Sequence, residues 1–266
     1  MVAFLFISAI IIFIVGAPMA IALGLSSVLY ILLSDMPPNI ILQRLFAGVD
    51  VTAFLAIPFF ILAGNLMLTG GLAQRLIRFA NSMVGSLPGG LAIVTILGCM
   101  FFASISGSAL ATAAVLGSIL IPAMVKQGYD IRFAAAVVGA ASPIGAIIPP
   151  STTFIIFGSS TNTSIKELYM AGLPAGIILG LALIIVAYVI GKKNGYVGER
   201  NAFSLKEFWL SFKDAIWALG TPIIMVGGVF GGFFTPTESA VIAVVYALII
   251  GMFVYKELKL KDLYGI

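Results

Sequence analysis

Ser104, Ser106 and Ser108 alternate through Phe102-Ala-Ser-Ile-Ser-Gly-Ser-Ala-Leu-Ala-Thr-Ala-Ala114, with Gly107 between the last two serines and Thr112 one turn beyond. A second group, Ser142, Gly145, Pro149, Pro150 and Ser151, falls in Ser142-Pro-Ile-Gly145 and Pro149-Pro-Ser151. The chemistry open to these residues is that of neutral oxygen. Hydroxyls and unpaired main-chain carbonyls attract a cation such as sodium, and free N–H groups at a helix start attract an anion. Nucleophilic catalysis lacks its usual partners. The chain has no histidine, which removes Ser-His and Cys-His pairs, imidazole metal sites and imidazole proton relays. Cys99 is the sole cysteine, so no intrachain disulfide forms and apolar packing is its expected role. An intramembrane hydrolase would need a base beside Ser106 or Ser108, and Lys126 lies at the wrong membrane level; the protein is not expected to be an enzyme.

These groups are set in a chain that is 61% hydrophobic and 9% charged, with mean hydropathy +1.19, where soluble domains carry about 25% charged residues. Long apolar runs rather than period-two alternation predict an all-α polytopic membrane protein. The net charge of +4 is spread over loops with no basic patch among aromatics, which argues against nucleic acid and for the lipid bilayer as the surrounding partner. Met1 to Leu33 lacks a basic n-region and is read as retained membrane helix.

The elements that position the polar groups follow from the breakers. Residues 2–33 as one helix would run about 48 Å against about 30 Å of hydrocarbon; two short helices meeting at Gly16-Ala-Pro18 are favoured over one tilted helix. Ser34–Pro38 is a turn, 39–50 and 72–86 are interfacial helices, and 53–69 is a span. The uncharged segments 90–103 and 108–125 follow, then a broken helix over 132–162 unwound around Ser142–Ser151, then a span over 168–190. After a polar interval with an amphipathic later part, spans are expected at 216–233 and 238–255. Residues 1–86, 87–190 and 191–266 thus form three successive groups.

Charge fixes the orientation. With 70–90, 126–132, 191–217 and the C-terminus on one side, that side holds twelve of the fourteen Lys and Arg residues, a strong positive-inside signal. Residues 90–125 must then leave and return on that side. The segment 90–103 is only about 21 Å long as a helix, so a re-entrant hairpin competes with two full spans. Residues 133–165 must cross once with more chain than one crossing needs, which the broken helix absorbs; irregular backbone at that depth survives only where protein or a water-filled cavity satisfies it.

Two broken elements at midplane are the pattern of secondary transporters. The hairpin tip would bring a helix C-terminus near Ala103 and a helix N-terminus near Ser108 to one depth, with Ser142, Gly145 and the carbonyls before Pro149 and Pro150 facing them. The plainer alternative is that Ser108 is an N-cap and the prolines are kinks. Neither broken element holds a carboxylate, whose insertion at mid-membrane costs about 3 kcal/mol, so sodium coupling is favoured over a proton relay. The small residues from Ala109 to Ser118 allow tight helix packing. Thr235-Pro-Thr-Glu238 is expected to cap a helix. Laid on Gly16-Ala-Pro18, it also marks a faint internal repeat of inverted topology.

The chain resembles the large membrane subunit of TRAP (tripartite ATP-independent periplasmic) transporters, the C4-dicarboxylate permease large-subunit family. The resemblance rests on Ser106-Gly-Ser-Ala-Leu-Ala-Thr-Ala-Ala-Val-Leu-Gly-Ser118, Ile121-Pro-Ala-Met124, Gly128-Tyr-Asp130, Ile144-Gly-Ala-Ile-Ile-Pro-Pro-Ser151, Ala171-Gly-Leu-Pro-Ala-Gly176 and Phe234-Thr-Pro-Thr-Glu-Ser-Ala240. It implies an inverted-repeat, elevator-type fold like that of the ion transporter superfamily, with 1–86 as scaffold and arm helices, 87–190 as half of a transport domain, and 191–266 as a linker and the start of a second repeat. It also implies sodium-driven import of organic anions, a small membrane subunit and a periplasmic substrate-binding protein as partners, and a multi-pass place in the bacterial inner membrane. No cofactor is implied beyond sodium as coupling ion. Carried over, Ser106, Gly107, Ser108, Ser142 and Gly145 would form a sodium site, and Ser108, Thr112, Pro149, Pro150 and Ser151 one wall of a substrate site. Family members continue through a second hairpin and broken helix, so this chain is read as an N-terminal fragment with its second repeat incomplete. A channel or a non-transporting assembly subunit is the remaining alternative.

Overall fold

The computed structural model describes residues 2–34, 36–196, 198, 204–259 and 261–265. Asp35 of the expected turn and Arg200 of the basic side lie outside the described residues. Twelve α-helices and no strand are present among the described residues, and five helical segments are long and apolar enough to cross a membrane. The protein is a multi-pass, all-helical membrane protein.

The chain divides into two compact units, Met1–Val51 and Thr52–Ile266. In the first, α1 (Val2–Ile14) and α2 (Met19–Leu32) are separate helices, as the Gly-Pro break predicts. Gly16 takes φ +97° there and Pro18 stands at the N-cap of α2. Ala9, Ala22 and Ser26 are buried while most of the Ile, Leu and Phe side chains are exposed. That arrangement inverts the soluble rule and suits a lipid surround, where small residues let helices approach. Helix α3 (Asn39–Val49) buries no residue.

The second unit is built around α6 (Gly90–Ser106), most of whose side chains are buried. A helix apolar on every face belongs at a centre, and α5 (Leu72–Val84), α7 (Ala109–Lys126), α8 (Ile131–Ala141) and α10 (Ile165–Lys193) surround it. Helix α5 buries Leu72, Ala73, Leu76, Phe79 and Ala80 and leaves Gln74 and Arg78 outside, the amphipathic pattern expected of it. Helix α4 (Ala56–Thr69) packs on α12 (Pro236–Ile249) through small residues, with Ala56, Ala63, Ala240, Ala243 and Ala247 all buried. Helix α10 offers Gly172, Gly176 and Gly180 in one row, and Phe154, Ile148 and Met100 seat against them.

Two expectations need correction. Helix α6 runs one turn past Ala103 to Ser106, because the Ser104 hydroxyl donates to the Phe101 carbonyl at 2.6 Å and so costs its own helix nothing. The chain breaks only at Gly107, with φ +60°. The segments expected as an amphipathic stretch followed by a separate span form a single helix, α11 (Leu205–Phe230). No glycine or proline stands between Ser204 and Ala218 to divide them, and Pro222 is absorbed within the helix.

Several loops that charge parity assigns to one side touch one another. At one end of the second unit Tyr196 accepts from the Gly89 N–H at 3.0 Å through its carbonyl and from the Asp130 N–H at 3.2 Å through its hydroxyl. Arg75 meets Asp214 and Glu257, from two further segments of the same assigned side. At the other end Thr237 donates to the Thr52 carbonyl at 3.2 Å, and Lys166 lies beside Gly232. The capping box at Thr235 and Glu238 is formed.

Candidate functional site

Helix α10 spans about 43 Å, whereas α6 is about 26 Å long and α7 about 27 Å. Helix α6 begins and α7 ends at the Tyr196 end, where Tyr196 meets Gly89 and Asp130. The segment after α8 carries a 3-10 turn over Ser142–Ala146, then loop, then α9 (Thr152–Thr161). Arms of about 16 Å and 15 Å place that break near the middle of the unit. The tip of the α6–α7 hairpin meets it there.

Main-chain polar groups make the joint. The Gly107 carbonyl accepts from the Thr152 N–H at 3.2 Å and from the Thr152 hydroxyl at 3.0 Å. Gly107 is needed twice over. Its φ is positive, and a Cβ there would lie 2.5 Å from the Pro150 carbonyl oxygen. Gly145 is similarly confined, since a Cβ would stand 2.7 Å from Thr112 Oγ1 and 3.0 Å from the Ser108 carbonyl oxygen. The Ser108 side chain caps α7 by accepting from the Ala111 N–H at 3.4 Å. Thr112 donates to the Ser108 carbonyl at 2.8 Å. Ser151 donates to the Ala146 carbonyl at 2.6 Å and accepts from the Phe154 N–H, capping α9.

Beside this joint lies a cavity of about 280 Å³ whose polar lining is Asn65, Ser106, Ser108 and Thr152. The first turns of α7 and α9 both face it, through Ala111 and Thr152. The positive ends of two helix dipoles therefore meet the C-terminal, negative end of α6 at one place. No charged side chain lines the cavity.

The residues singled out from the sequence distribute unevenly. Ser106 and Ser108 face the cavity, with Gly107 between them at the joint. Thr112, Gly145, Pro150 and Ser151 pack behind the tip. Ser142 is buried and its hydroxyl donates to the Val138 carbonyl of its own helix at 2.6 Å. Pro149 lines a different hollow of about 340 Å³ together with Ser104 and Pro222. The sequence reading missed Thr152, which joins α9 to the hairpin, and Asn65.

The profile described as "Tripartite ATP-independent periplasmic transporter, DctM component" matches residues 6–266. The chain is 44% identical over 264 residues to the C4-dicarboxylate TRAP transporter large permease protein DctM of Vibrio cholerae, covering 97% of this chain and 57% of that protein. It is 47% identical over 252 residues to the isethionate TRAP transporter permease protein DctMQ of Oleidesulfovibrio alaskensis, covering 94% of this chain and 40% of that one. It is 41% identical over 256 residues to the sialic acid TRAP transporter permease protein SiaT of Haemophilus influenzae, covering 96% and 41%. The chain belongs to the TRAP transporter large permease family. It spans about half the length, or less, of these curated relatives. In this TRAP permease chain the joint and the cavity beside it are formed by residues between Ile57 and Ile156.

Proposed function

We propose that this chain acts as large permease subunit of a secondary transporter that moves an organic anion inward on a sodium gradient. It works in the bacterial inner membrane beside a small membrane subunit, and a periplasmic binding protein hands over the substrate. The observation that carries this reading is the cavity at the joint, where two helix N-termini and one helix C-terminus converge on uncharged oxygen and nitrogen groups. Helix starts favour the carboxylate or sulfonate of a substrate, and carbonyls and hydroxyls at the end of α6 favour sodium. The relatives' names, which include C4-dicarboxylate, isethionate, sialic acid and 2,3-diketo-L-gulonate, have an acidic substrate in common. Sodium is preferred to a proton because the sequence between Arg78 and Lys126 and between Arg132 and Lys166 has no acidic residue, and Asp130 falls in the loop between the two stretches. Coupling by protons normally uses an intramembrane acid or histidine. The hairpin and broken helix would travel together, elevator-fashion, against α4 and α12.

The test is uptake by the full-length protein with its partner subunits. Sodium-dependent accumulation of an organic anion is expected, and Ser106→Leu with Ser108→Leu should abolish it while the protein still inserts. Unchanged uptake in that double variant would defeat the site assignment, and accumulation indifferent to sodium would defeat the coupling.

A further inference from the structure

Helix α4 is apolar except near its end, where Asn65 and Thr69 occur. Gly64, next to Asn65, lets α4 come close to the hairpin; a Cβ on Gly64 would lie 3.6 Å from the Ser106 α-carbon. Asn65 therefore stands at the depth of the hairpin tip but on a different element, and it lines the cavity with Ser106, Ser108 and Thr152. Most hydroxyls around the joint are engaged with main chain: those of Ser104, Thr112, Ser142, Ser151 and Thr152 each donate to a carbonyl. Two polar side chains are not. Ser106 is 5% exposed, and neither its hydroxyl nor the Asn65 carboxamide bonds any described residue; Asn65 contributes only its main-chain carbonyl, to Thr69. A polar group withdrawn from water without a partner costs roughly 1–3 kcal/mol. Ser106 is so withdrawn, whereas Asn65 is half-buried; Asn65 has no side-chain partner among the described residues and lines the cavity at the helix starts that favour an anion.

We infer that the Asn65 carboxamide donates a hydrogen bond to the acidic group of the transported anion, with the Ser106 hydroxyl beside it. The contact rests on the anion-carrier reading above and adds to it a substrate-reading residue outside the hairpin and the broken helix. An amide also has an oxygen that could serve a cation, and the test separates the two.

Equilibrium binding of succinate, N-acetylneuraminate and isethionate is measured on the purified full-length permease complex in sodium chloride, without the binding protein. Whichever anion the unaltered protein binds is then followed in the variants. Asn65→Asp keeps the shape but replaces the donor with a negative charge and should weaken anion binding roughly 10- to 100-fold, as expected for a charge-assisted hydrogen bond. Asn65→Ala should weaken it about tenfold. Sodium affinity, measured without the anion, should stay within twofold in both. Anion affinity within twofold of the unaltered protein in both variants overturns the inference, as does a change in sodium affinity with anion binding intact. In either case the anion-carrier reading stands. Absence of binding of all three anions by the unaltered protein counts against that reading as well.

Discussion

Two polar islands interrupt this oily protein, and they are built on opposite plans. At the hairpin tip, the joint with the broken helix has no charged side chain beside its cavity, and its bonds run from hydroxyls and N–H groups to carbonyls and hydroxyls. At one end, Arg75 is held by Asp214 at 3.1 Å and Glu257 at 2.7 Å, donates to the Gly71 carbonyl, and lies 3.8 Å from the centre of the Tyr255 ring. Burial alone would disfavour that charge, but hydrogen bonds to Glu257 and Asp214 outweigh burial and raise the Arg75 pKa above its ordinary value. The cluster ties α5 to α11 and to the chain after α12, and its arginine has no vacant face. The joint, in contrast, keeps Ser106 and Asn65 unpaired beside a cavity.

That contrast predicts a double dissociation, and Gly107→Ala should show its largest half. The new methyl must avoid the Pro150 carbonyl oxygen at 2.5 Å and hold a positive φ. The backbone term costs roughly 1–3 kcal/mol, and the tip must withdraw from the break by a fraction of an ångström. Misplacement on the order of 1 Å costs about 100-fold in a positioned site. Uptake should fall about that far while protein inserts in near-normal amount. Uptake within threefold of normal would show that the tip tolerates movement and that the joint is only packing.

How far this arrangement can be foreseen depends on which groups announce themselves. Gly16-Ala-Pro18, Ser142-Pro143 and Pro149-Pro150 mark breaks because glycine and proline alter the backbone directly, and the uneven distribution of lysine and arginine sorts the loops. The end of α6 was not legible, since a serine can satisfy its hydroxyl on its own helix, as Ser104 does, and its presence does not say whether the helix stops. The continuity of α11 was hidden by a change from amphipathic to apolar composition with no breaker at the change. Asn65 was hidden for a third reason. One polar residue on an apolar helix gives no face until its neighbours are known, and the neighbour that matters, Ser106, is remote in sequence.

Arg75→Ala should show the other half of the dissociation. Its side chain is 15% exposed, between the surface pairs worth about 0–1 kcal/mol and the buried pairs that cost about 3–5 kcal/mol to break. A loss of roughly 1–3 kcal/mol is expected, seen as a drop of several degrees in the melting temperature of the purified full-length protein. Uptake per correctly folded molecule should remain within twofold. A specific loss of transport with unchanged melting would reverse the comparison and make the charged cluster part of the transport cycle.

Arg78→Ala provides the smallest effect and the finest control. Arg78 reaches the same Asp214, through Nη1 at 3.2 Å, but its side chain is 67% exposed. The two arginines therefore share one carboxylate and one helix and differ in burial and in the number of partners. An exposed pair is worth about 0.2–1 kcal/mol and is screened by salt, so Arg78→Ala should lower stability by less than about 0.5 kcal/mol. Sodium chloride near 1 M should erase that difference, since screening there acts within about 3 Å. Combining each arginine change with Asp214→Asn isolates the pairwise terms, and the Arg75 coupling should exceed the Arg78 coupling at every salt concentration. Equal couplings would mean that burial does not distinguish the two pairs, and that the cluster is held by Glu257 and the Tyr255 ring instead of by Asp214.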